Sequence, residues 1–176
     1  MGFGQSASGI QQLCVELAAV IHANFHVAAT VPPGKRSSSI YEDFDKHFEA
    51  VINTKSIELA VNLRALFDRC ASLSNPHALP QTTRNSLALI MLAGEAPHNV
   101  RECANKIIHA GYFLFRRGRY SSTGLDGVPF TNVVQESTVE LSGWHHKKQW
   151  RCTLDLLVFA EEAHLAAKEL QSAWQQ

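Results

Sequence analysis

The sequence predicts a mainly α-helical domain, a bundle of four or five helices with a small β-hairpin before the last one. Three observations carry that expectation. Apolar residues recur at helical spacing over most of the chain, Pro and Gly delimit those runs, and alternation of the kind a strand shows is confined to the region after residue 111.

Residues 1–8 are small and polar and are expected to fray. Over 9–29, Ile10, Leu13, Leu17, Val20 and Ile21 return at helical intervals, and Val31-Pro32-Pro33-Gly34 stops the run before a loop at 35–38. Ser39 followed by Glu42 has the form of a capping box. The apolar face behind it runs from Ile40 through Phe48, Ile52, Leu59 and Leu63 to Cys70. Asn53-Thr54-Lys55-Ser56 are poor helix formers and predict a kink or break within it. Asn75-Pro76 and Pro80 end the run.

A shorter helix is expected over 83–93, closed by Gly94. Pro97 in a first turn and Gly111 at the far end delimit a helix over 97–110. After it, 116–127 has the composition of a Gly/Ser/Arg loop. Residues 138–141 and 149–154 predict two short strands around a polar turn at 143–148. The last helix is expected over 156–174. Residues 1–176 thus form one domain, with 112–154 a loop and β-hairpin insertion.

Composition narrows the function. An apolar fraction of 45% with 18% charged residues is ordinary for a globular domain and unlike a disordered one. Lys+Arg and Asp+Glu balance at 16 each, so a polyanion can be held by a local basic patch and not by a global field. Cys14, Cys70, Cys103 and Cys152 form no CxxC pair, which predicts buried free thiols and a reducing compartment. The beginning of the chain lacks a basic n-region, and no apolar run is read as approaching the ~20 residues that span a bilayer. A cytoplasmic location without membrane contact is expected. Phosphate-binding, dinucleotide-binding, nucleophile-elbow and EF-hand patterns are absent, so no cofactor is expected. His22 and His26 stand at i, i+4 but have no third ligand in the sequence, so no metal is expected either.

Two groups of residues carry candidate chemistry. At roughly 100° per residue, Arg101, Asn105 and His109 fall near 0°, 40° and 80° on one helix, a polar stripe bordering an apolar arc. A His can move a proton at a 2′-hydroxyl, an Arg can stabilise charge on a phosphate, and an Asn can orient the substrate. The second group is Arg116, Arg117, Lys147, Lys148 and Arg151, basic residues interleaved with Trp144 and Trp150, of the type that holds phosphates and stacks bases.

The segment Arg101-Glu102-Cys103-Ala104-Asn105-Lys106-Ile107-Ile108-His109-Ala110 resembles the signature of the HEPN superfamily, an Arg and a His on one face of a late helix. The resemblance implies a helical bundle that dimerises and places its Arg–His pairs in a shared cleft. Seven residues separate Arg101 from His109, more than the family's spacing, and Glu102 stands where Asn, Asp or His is common. A binding or scaffolding module with RNA or a protein as partner is therefore implied first. A metal-independent endoribonuclease using Arg101, Asn105 and His109 is the alternative.

Overall fold

The computed structural model describes residues 6–35, 39–71, 86–94 and 99–174. Its elements run α1 (Ala7–Thr30), a 3-10 turn (Pro33–Lys35), α2 (Ser39–Ala71), β1 (Leu89–Ala93), α3 (Val100–Ile108), β2 (Tyr112–Thr123), β3 (Pro129–His145), β4 (Lys148–Asp155) and α4 (Leu156–Trp174). The expected mainly α bundle is overturned. Four strands pair throughout in antiparallel fashion in the order β1-β4-β3-β2, which makes this a mixed α and β fold.

The long helices follow from the apolar spacing. Ser6 caps α1 by accepting a hydrogen bond from the Gly9 N–H at 3.2 Å, so residues 6–8 belong to an ordered start. Residues 1–5 of the stretch expected to fray lie outside the described residues. By length and composition α1 is able to cross a membrane, which corrects the expectation that no apolar run reaches that size. In this fold its Ile10, Leu13, Leu17 and Ile21 lie in the core.

α2 passes through Asn53–Ser56 without the expected break. Ile52, Ser56, Leu59 and Leu63 are all fully buried on one face there, and packing along that face outweighs weak local propensity. Thr54 also returns its hydroxyl to the Ala50 carbonyl at 2.8 Å. The side chains of the expected capping pair, Ser39 and Glu42, lie outside the described ones, as do Asn75, Pro76 and Pro80.

Two corrections create the sheet. Residues 89–93, expected to close a helix, form strand β1, and Gly94 follows it with φ +99°. A short apolar run such as Leu-Ile-Met-Leu-Ala suits a buried helix or a strand equally, and pairing with β4 decides the matter. Residues 116–123, expected in a loop, continue β2 and pair with β3 as far as Thr123↔Pro129. The polar turn shrinks to His146 and Lys147, both left-handed with φ 47° and 67°, the backbone a two-residue hairpin turn requires.

The inner sheet face carries Leu89, Phe115, Val139, Leu141, Trp150, Cys152 and Leu154, and these join one core with Leu17, Leu63, Ile107 and Phe159 from the helices. Phe48 of α2 meets Phe115 edge to face, with centroids 6.3 Å apart. Gly143 is required where β3 passes the end of α3. A Cβ there would stand 2.6 Å from both the His109 carbonyl oxygen and Cζ2 of Trp150. Beyond a bulge between Phe115 and Arg117, the distal part of the β2–β3 hairpin lies along the end of α1. The four cysteines are free and buried.

Candidate functional site: the α3 stripe and the outer sheet face

Asn99 caps α3 by accepting from the Glu102 N–H at 3.0 Å, and of its expected core-facing arc Val100, Cys103, Ala104 and Ile107 are buried while Ile108 is partly buried. That seats Arg101 and Asn105 against α2. Arg101 Nη2 donates to Asp68 Oδ1 at 2.6 Å, and Arg64 Nε donates to both oxygens of Asp68 at 3.1 and 3.0 Å. Arg64 Nη1 donates in turn to Asn105 Oδ1. Partial burial pushes the Asp68 carboxyl up, but the two guanidinium groups outweigh it and hold the group below its usual 3.8.

Arg101 and Asn105 are thus drawn into one network across the α2–α3 border. His109 is not part of it. It caps the C-terminus of α3, is exposed, and lies about 12 Å along the axis from Arg101 at ~1.5 Å per residue. Arg101 Nε is buried without a hydrogen-bond partner. The sequence reading missed Arg64 and Asp68, although opposite charges at i, i+4 on a helix were a visible signal.

No family model, curated protein or solved structure matches this chain. The site therefore rests on chemistry and geometry alone.

The second group assembles on the outer face of the sheet. Cross-strand register lines up Tyr112, Ser142 and Arg151 in one row and Leu114, Glu140, Thr153 and Ile90 in the next, while Trp144 stands opposite Gln149. No helix among the described residues covers this side. Tyr112 and Trp144 are 55% and 68% exposed, well beyond what a sheet packed on both faces would allow its aromatics. Between the rows lies a depression of about 340 Å³ lined by Tyr112, Leu114, Glu140, Ser142, Gln149 and Arg151.

Arg116 and Arg151 converge on Glu140, their Nη2 atoms 3.3 Å from Oε1 and 2.5 Å from Oε2 respectively. The hydrogen bond from Arg151 holds the Glu140 carboxyl below its usual 4.5, and Glu140 in return raises Arg151. Lys147 sits in the β3–β4 turn and Lys148 directly follows it, at the Trp144 end of this face. Arg117 goes elsewhere: it reaches Glu49 of α2 at 3.4 Å, below the bulge. Of the five basic residues read from sequence, two form one cluster, two stand at its end and one is separate. Tyr112, Glu140 and Gln149 were missed as site residues. The signal that could have found Tyr112 is the alternation Tyr112-x-Leu114-x-Arg116, an exposed strand face hidden by treating 116–127 as loop.

His22 and His26 are both exposed on α1, and no group of three metal-ligating side chains forms among the described residues.

Proposed function

We propose that the chain is a non-catalytic binding module whose outer sheet face takes single-stranded nucleic acid. The observation that supports this reading is the placement of two exposed aromatics, Tyr112 and Trp144, on the same uncovered face as Arg116 and Arg151. Cations hold phosphates, and exposed rings stack bases of any sequence. With ~3.3 Å per residue along a strand and ~4.8 Å between strands, the two aromatic positions are about 8 Å apart. That exceeds the ~3.4 Å separation of stacked bases, so each ring takes a base splayed out of the stack, as single strands permit and duplexes do not.

Glu140 works against the ligand by neutralising the two arginines. The expected affinity is modest and its salt dependence shallow. Engagement of Arg116, Arg151, Lys147 and Lys148 gives a log–log slope no steeper than about −3, at ~0.7 per phosphate on a single strand.

Fluorescence anisotropy with a labelled single-stranded RNA at graded salt tests this. Trp144→Ala is expected to weaken binding by about 1–3 kcal/mol, the worth of one stacked base. Glu140→Gln is expected to tighten binding, and acidification through the depressed Glu140 titration, below its usual 4.5, should do the same in the wild type. Equal binding by wild type and Trp144→Ala would remove the outer face from consideration. Chelator-resistant RNA cleavage that disappears in His109→Ala would move the function to α3 and restore the ribonuclease alternative.

A further inference from the structure

The outer edge of β1 is built differently from the rest of the sheet surface. From Ser86 to Gly94 the chain has no charged residue and no proline. Ala88 O accepts from Asp155 N at 2.7 Å, and in an antiparallel ladder the backbone groups of successive residues point to alternate sides. Ala88 and Ile90 therefore turn toward β4, while the N–H and C=O of Leu89 and Met91 turn outward. No hydrogen bond from a described residue reaches those outward groups. The free stretch is bounded on one side by Leu87, whose N–H is held by Glu162 Oε1 at 2.7 Å, and on the other by a register shift after Met91. Ile90, at its centre, is 66% exposed.

We propose that this edge pairs antiparallel with β1 of a second copy of the chain, with Ile90 on the two-fold axis. In that register Leu89 faces Met91 of the second copy and Met91 faces its Leu89, each pair exchanging two N–H···O bonds. The two Ile90 residues meet as a non-hydrogen-bonded pair, with Cα atoms about 4.5 Å apart and side chains in contact. The result is one continuous sheet through both copies. A second copy fits this edge because, among the described residues, the outward groups of Leu89 and Met91 lie symmetrically about Ile90. An isologous contact therefore satisfies the N–H and C=O of both residues in both copies. Nor does the edge carry a charge that opposes its own image, and the chain's formal charge is zero.

The test is oxidative cross-linking of the full-length Ile90→Cys protein with diamide, which takes two electrons and two protons from the facing thiols. Cα atoms of a non-hydrogen-bonded pair lie within disulfide range. The native thiols compete poorly: all four are buried, and burial pushes Cys14 and Cys103 up to about 12 and Cys152 up to about 11. A disulfide-linked dimer is expected for Ile90→Cys and not for Leu114→Cys, which lies three strands away on the same face. In sedimentation equilibrium under reducing conditions, the wild type is expected to dimerise. Ile90→Lys should raise its dissociation constant about tenfold or more, by opposing like charges across the axis, with an unchanged circular dichroism melt. A monomeric wild type, a dimer untouched by Ile90→Lys, or equal cross-linking through Leu114→Cys would each overturn the proposal.

Discussion

The two edges of the sheet solve the same problem in opposite ways. The β2 edge carries Arg116, Arg117 and Arg119, shifts register against a bulge in β3 after Phe115, and continues into a hairpin arm fastened to α1. The β1 edge has five uncharged residues and a register shift only at its C-terminal end. Charge, bulges and covering elements are the ordinary means of keeping a strand edge from pairing with another chain. Among the described residues, one edge has all three and the other nearly none. An edge defended this unevenly is informative: the bare side is the one that the proposed pairing of two copies uses.

The contrast breaks most sharply at Asn132. It is buried, and its Nδ2 donates to the Ala28 carbonyl at 2.7 Å and to the Val31 carbonyl at 2.9 Å, two acceptors at the end of α1. Asn132→Ala strands both carbonyls in a buried setting, which costs about 1–3 kcal/mol. A lowered urea midpoint, with faster tryptic cleavage at Arg117 and Arg119, is the expected result. An unchanged midpoint would mean that the arm is not what defends the β2 side.

A smaller effect, away from both edges, sharpens the comparison by serving as a control. Asp68 joins Arg64 and Arg101 across the α2–α3 border with about half of its side chain exposed, so Asp68→Asn should cost about 1 kcal/mol or less. Its carboxyl titrates lower folded than unfolded. The stabilisation is therefore present above the unfolded value near 3.8 and is lost as the pH falls through the lower folded value. Urea midpoints of wild type and Asp68→Asn should differ at neutral pH and converge in acid. Cross-linking at Ile90 should be the same in both, because this network touches neither edge.

What the sequence made legible follows the range of the forces involved. α4 matches its expected bounds at Leu156–Trp174, and α1 differs from expectation by a few residues at its ends, because amphipathic periodicity is local. The apolar arc of α3 was legible for the same reason. β1 was not: Leu89–Ala93 is a strand only because β4, some sixty positions later, lies beside it. The long β2 was missed because Gly118 and the serines read locally as loop, while Val133, Val134 and Asn132 supply its partner from across the hairpin. The same limit divides the site. Spacing placed Arg101 and Asn105 on one stripe, but only the fold brings Arg64 and Asp68 onto it from α2. Likewise, basic residues could be counted, but their counter-charges on Glu140 and Glu49 come from other strands and helices.

The smallest expected change in stability belongs to the charges themselves. Arg117 is exposed and 3.4 Å from Glu49 in a surface pair, and Arg119 is exposed on the adjacent stretch of β2, so Arg117→Gln with Arg119→Gln should alter folding stability by no more than about 0.5 kcal/mol. Solubility is the discriminating readout. If charge is what keeps β2 from pairing, the double variant will form larger assemblies that light scattering detects, and these will add to any dimer held through β1. If the variant scatters like the wild type, the bulge and the α1-bound arm suffice alone. The difference between the edges then lies in backbone geometry and not in charge.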